Sequence, residues 1–172
     1  MGIHDREYYQ GERSRPGVAL GQYSMVTLLV AANAVVFLLD MFGENHALMK
    51  GMAVQSATLV EPWNWWRFLT AGFAHDPQSV NHLIFNMAGL WFLGRPVEER
   101  YGKREFLLFY LVAIVLGNLI WSARAYYELG QIEVPETALG ASGGVTAVVM
   151  LFIFLYPRQT LLLFFVLPVP AW

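Results

Sequence analysis

Hydrophobic and polar positions alternate along this chain in long blocks rather than in short amphipathic periods. Tyr23 to Phe42 (YSMVTLLVAANAVVFLLDMF) is apolar apart from Asn33 and Asp40, and its length matches the roughly 20 residues a helix needs to cross a bilayer. Val80 to Gly94 (VNHLIFNMAGLWFLG) is shorter, with its polar residues near the start. Phe106 to Tyr126 is a full-length span, and Leu139 to Tyr156 (LGASGGVTAVVMLFIFLY) is another, glycine-rich where it begins and bulky where it ends. A last apolar run, Thr160 to Trp172, is too short to cross. The pattern predicts an all-α, polytopic transmembrane bundle with spans at about 23–42, 80–94, 106–126 and 139–156 and a partial fifth at 160–172. Residues 1–22 are polar and broken by Gly and Pro, without the apolar core of a signal peptide, and predict an exposed tail preceding a membrane domain over 23–172.

Composition agrees. Hydrophobic residues make up 56% of the 172, charged residues only 14%, and the mean hydropathy is +0.44. Soluble domains carry about 25% charge. A net charge of −2 supplies no broad basic surface, which excludes nucleic acid as the expected partner. No cysteine is present, so disulfides, thiol nucleophiles and thiolate metal sites are excluded. The four histidines show no pair at metal-ligand spacing, and neither metal nor cofactor is expected.

The cations give the spans a direction. With the N-terminus in the cytoplasm, Arg6, Arg13, Arg15, Arg95, Arg100, Lys103, Arg104 and Arg158 fall inside, and only Lys50, Arg67 and Arg124 fall outside. The connection from Gly43 to Ser79 is then external. Its Trp63, Trp65 and Trp66 suit an aromatic belt at the interface, where an apolar ring and a polar N–H are both accommodated. The second and fourth spans both start from the outer face, so His82, Asn86 and Ser142 share a depth. Polar side chains within a membrane are costly and turn toward the bundle interior or a water-filled cavity.

His82 and Asn86 are four residues apart and share a helix face. Both carry N–H donors, as stabilisation of a developing oxyanion requires. Ser142 offers a hydroxyl, and its backbone N–H at a helix start has no partner within the helix. Gly140 and Gly143 leave space for a carbonyl to approach. The competing reading is packing, because small residues let membrane helices come close and isolated polar residues bond between helices. His75, in a turn before Asp76-Pro77, has less claim to a role than His82.

The order Trp66-Arg67, His75, HLIFN from His82 to Asn86, GRPVEERYG from Gly94 to Gly102, and GASG from Gly140 to Gly143 resembles the rhomboid family of intramembrane serine proteases. The resemblance covers about 150 residues. It implies that Ser142 is the nucleophile and that His82 and Asn86 stabilise the oxyanion. Trp66-Arg67 matches the family's outer-loop signature, and Glu98 matches an acidic residue of structural role. The spacing of His75 and His82 is seven where the family usually has five. The family's basic histidine lies on a sixth span, which this sequence does not reach, so a histidine downstream of Trp172 is expected and the fragment alone is expected to be inactive. The resemblance implies cleavage of single-span membrane proteins near the outer face of a bacterial-type plasma membrane. The alternatives are a non-catalytic rhomboid-like protein that binds membrane clients, or a subunit whose small residues serve packing only.

Overall fold

The structure, a computed structural model, describes residues 23–129, 137–158, 160–163 and 167–170. These residues are mostly helical. In chain order they form α1 (Met25–Met41), α2 (Ala47–Met52), β1 (Val54–Gln55), α3 (Arg67–Thr70), α4 (Val80–Tyr101), α5 (Lys103–Leu129), β2 (Thr137–Ala138), α6 (Ser142–Leu155), β3 (Thr160–Leu163) and β4 (Leu167–Pro170). Short 3₁₀ turns complete the segment between α1 and α4.

Helices α1, α4, α5 and α6 pack around one core: Val26 and Leu29 from α1, Leu90 and Val97 from α4, Phe106, Tyr110 and Ile114 from α5, and Val145, Val148 and Phe152 from α6. Their outer faces are also apolar. Leu39, Phe92, Ile120 and Phe154 stand exposed, the last with 76% of its surface open. Water does not tolerate so continuous an apolar periphery on a monomer. In lipid, burying such side chains brings little gain, because acyl chains are equally apolar; close packing and hydrogen bonds decide which helices associate.

Both devices are visible. A Cβ on Gly143 would lie 3.9 Å from the Gly117 Cα, so α5 and α6 meet backbone to backbone. A Cβ on Gly144 would come within 2.7 Å of the Tyr110 ring, and one on Gly72 within 2.5 Å of Ile114. The polar device is Glu98. Its Oε2 accepts from the Ser24 hydroxyl at 2.7 Å and the Val26 amide at 3.0 Å, and its Oε1 from the Met25 amide at 2.8 Å. A helix start leaves such amides without partners. Glu98, far along α4, therefore closes the N-terminus of α1.

The structure corrects several boundaries. The second apolar segment was expected to stop at Gly94, ahead of the next span at Phe106. Instead α4 continues through Pro96 to Tyr101, and the chain turns only at Gly102, whose φ of 93° is left-handed and favours glycine. The last apolar run is not a partial helical span. β3 and β4 pair antiparallel, Thr160 with Pro170 and Leu163 with Leu167. Pro168 and Pro170 resist a helix, and a hairpin satisfies its own backbone. The polar tail lies outside the described residues. Among those described, α5 alone is long and apolar enough to cross a membrane by itself; α1 passes only together with the helical segment after it, across a 114° bend. α6 is shorter, and α4 fails the same test.

Replacing Glu98 with Gln keeps the volume but turns one accepting oxygen into a donor facing amide donors. Charge-assisted hydrogen bonds contribute roughly 1.5–3 kcal/mol each. Glu98→Gln is expected to lower unfolding stability by about 2–4 kcal/mol, measured by denaturant titration in micelles. An unchanged midpoint would mean that the α1 start is held by other contacts.

Candidate functional site

Three anchors hold the five residues that lead into α6. β2 pairs with β1, Ala138 opposite Val54 and Thr137 opposite Gln55. The Gly140 amide donates to the Ala71 carbonyl at 2.8 Å. The Ala141 amide points at His75 Nε2, 3.4 Å away. The surface that receives this segment is itself tied to α5: Asn118 Nδ2 donates to the Phe68 carbonyl at 2.8 Å, and Ser122 Oγ to the Gln55 carbonyl at 3.1 Å. Arg67 donates to the Ala53 carbonyl at 3.3 Å, while its guanidinium lies 5.4 Å from the Trp66 ring. Trp63, Trp65 and Trp66 are exposed, as a belt at an interface would be.

Ser142 is the first residue of α6, and Ala141 occupies the capping position without a side-chain cap. The hydroxyl is therefore not consumed in closing its own helix. Ser142 is exposed and lines a cavity of about 160 Å³, together with Ile114, Gly117, Asn118 and Trp121 from α5 and Ala138 to Gly140 from the segment before α6. His82 and Asn86 are not part of that lining; His82 meets the same segment at Gly140, and Asn86 is linked to it through His75, which faces Ala141.

His75 joins them. It is 1% exposed, its Nε2 lies 3.3 Å from Asn86 Nδ2, and its ring meets that of His82 edge-on at 5.6 Å. A backbone amide can only donate, so the Ala141 N–H makes Nε2 an acceptor and leaves the proton on Nδ1. Asn86 then turns its amide nitrogen toward the ring and spends one N–H there. Burial, chiefly, and the neighbouring His82 hold the His75 pKa down to about 4, with a small opposing contribution from the Phe73 backbone. His75 is thus a neutral imidazole at ordinary pH. Its position before a Pro-containing turn suggested a minor role, whereas the structure puts it at the centre of the cluster. Its place beside His82 in the ordered motif series was the signal available.

The glycines also acquire reasons. Gly140 has a φ of 110°, and a Cβ there would lie 3.0 Å from His82 Cε1, so backbone conformation and the histidine both require glycine. Gly144 is required by Tyr110. Clearance for a substrate remains an explanation only at Gly143, where an added Cβ meets neighbours at ordinary contact distance. His46 stands elsewhere, its Nδ1 3.3 Å from the Asp40 carbonyl. Among the described residues no cluster of His, Asp and Glu could hold a metal.

A mostly helical protein with an apolar surface and a glycine-rich helix start has the class features of a helical membrane protein. The family model of the Rhomboid domain matches residues 62–172, and the chain belongs to the rhomboid family of integral membrane proteins. It is 30% identical to RHOMBOID-like protein 12, mitochondrial, of Arabidopsis thaliana over 162 residues, covering 88% of this chain and 47% of that protein. To Rhomboid protease GluP of Bacillus subtilis it is 30% identical over 128 residues, covering 73% of this chain and 23% of the relative. To Rhomboid protease AarA of Providencia stuartii it is 25% identical over 150 residues, covering 79% and 52%. The chain thus spans about half the length, or less, of these relatives. They include mitochondrial as well as bacterial proteins.

The depressed His75 pKa has a consequence for stability. The unfolded chain takes up a proton near 6.5 and the folded one only near 4. The neutral form therefore supports the fold fully above about 6.5, and that support is lost as pH falls from 6.5 toward 4. Unfolding stability is expected to fall over this window in the wild type and less steeply in His75→Gln. Identical pH profiles for the two would show that His75 does not titrate as a buried neutral ring.

Proposed function

We propose that the protein is an intramembrane serine endopeptidase in which Ser142 attacks a peptide carbonyl within or beside a substrate's transmembrane segment. The observation that carries this reading is the uncapped Ser142 at the start of α6, on a segment whose preceding residues are fixed by Ala71 and His75. A hydroxyl left out of capping is open to nucleophilic use, and a backbone held in place on both sides suits a reaction that depends on preorganisation. His82 and Asn86 supply donors for the oxyanion, joined by the Ser142 amide, which has no helical partner at that position. His75 is a positioning residue: as a neutral acceptor it orients the Asn86 amide without competing for negative charge.

The serine needs a base. His75 Nε2 already accepts from Ala141, and His82 is assigned the donor role, so the base in this reading is a histidine outside residues 1–172. The reading includes four spans carried by α1, α4, α5 and α6, a cytoplasmic N-terminus from the charge distribution, and single-span membrane proteins as substrates cut near the outer face. The named rhomboid proteases among its relatives support the activity class.

In the full-length protein, cleavage of a model transmembrane substrate is expected to vanish in Ser142→Ala with unfolding stability retained. Asn86→Ala and His82→Ala are expected to lose on the order of 100- to 1000-fold in kcat, the usual effect of removing one oxyanion donor. A fluorophosphonate probe should label Ser142 and fail on the alanine variant. A folded full-length protein that neither cleaves nor takes the probe would overturn the protease reading and favour a client-binding rhomboid.

A further inference from the structure

The cavity beside Ser142 carries one polar group that the chemistry above leaves unused. Asn118, on the wall formed by α5, donates its Nδ2 to the Phe68 carbonyl at 2.8 Å. A backbone carbonyl only accepts, so that bond fixes the orientation of the amide and turns Oδ1 away from Phe68. Oδ1 accepts from no described residue, and it is not among the side-chain atoms sealed from solvent without a partner. It therefore opens onto the cavity that Asn118 lines.

The remaining lining is small or apolar, with Ile114 and Trp121 as its bulky walls and no charged side chain. A neutral acceptor in a small, uncharged cavity calls for a neutral donor on a small side chain, and a hydroxyl fits that description. Gly140, Ser142 and Gly143 line the same cavity, so it abuts the nucleophile. When a peptide carbonyl sits at Ser142, the side chain nearest the nucleophile belongs to the residue that contributes this carbonyl.

We propose that Asn118 is a specificity-determining residue, whose Oδ1 accepts a hydrogen bond from the hydroxyl of a serine or threonine at the carbonyl that Ser142 attacks. The assignment rests on the protease reading and narrows its substrates to segments with a hydroxylated residue at the cut. Alanine enters the same space without a donor and leaves Oδ1 to water, for which about 160 Å³ gives room. The discrimination is therefore moderate, about three- to ten-fold, the net worth of one neutral hydrogen bond. A site that sealed its acceptor from water would discriminate far more strongly.

The test uses four transmembrane substrates that differ only in the residue at the cut. Serine is set against alanine, and threonine against valine, which has the same shape without the hydroxyl. With the full-length protein, kcat/KM is expected to be about three- to ten-fold higher for the hydroxylated member of each pair. Asn118→Leu removes the acceptor and should bring both ratios to one, whatever the lost bond to Phe68 does to the absolute rates. Asn118→Asp loses that bond but keeps an acceptor, and should retain both preferences. Each ratio is taken within a single variant, so partial destabilisation does not distort it. Equal rates within both wild-type pairs, or preferences that survive Asn118→Leu, overturn the assignment, while cleavage itself upholds the protease reading. Preferences lost in Asn118→Asp as well would trace to the Phe68 bond and overturn it too. Cleavage of none of the four, without labelling of Ser142 by the fluorophosphonate probe, overturns both readings.

Discussion

The close approach of α5 to the glycines of α6 and of the 71–74 segment is the constraint on which the remaining structure depends. Tyr110 and Ile114, one helical turn apart, project into space that a side chain at Gly144 or Gly72 would occupy. Ile114 touches both glycines, one three residues before His75 and the other two residues after Ser142. One side chain thus sets the separation between the histidine-bearing segment and the serine-bearing helix. Among helices surrounded by lipid, contact of this kind has to replace the hydrophobic effect as the source of order.

The polar interior is economical in the same way. Three polar side chains near the site act on backbones, Asn118 on Phe68, Ser122 on Gln55 and His75 on Ala141, while Asn86 meets the His75 ring. These bonds run from α5 outward to the irregular segment and from that segment to the start of α6. The irregular segment is consequently a framed surface, with its own small core of Val54, Phe68 and Ala71 against Val115 and Trp121. Exposed tryptophans border it, yet its backbone is held from beneath.

Much of this was legible in the residue pattern. The helical starts near Met25, Val80 and Ser142, the helix through Phe106–Tyr126, the irregular tryptophan-rich connection and the family itself all follow from apolar blocks and ordered motifs. Three features were not legible, each for a physical reason. The continuation of α4 past Pro96 depends on Glu98 facing α1, a contact between residues more than seventy positions apart. The pairing of Thr160–Leu163 with Leu167–Pro170 is invisible to hydropathy, because a short apolar run has no period that separates strand from helix. The importance of His75 came from burial, which no local pattern reports. Gly140 was noticed but explained too narrowly, and Gly144 was given no role of its own, since steric exclusion by His82 and Tyr110 appears only when distant segments are brought together.

Glu98 also imposes an order on how the chain comes to be built. The amides of Met25 and Val26 leave the ribosome more than seventy residues ahead of the carboxylate that will receive them. An amide without a partner in hydrocarbon costs several kcal/mol. Until α4 has been made these amides can pair only with water, and the start of the first helix is completed by a segment that arrives later.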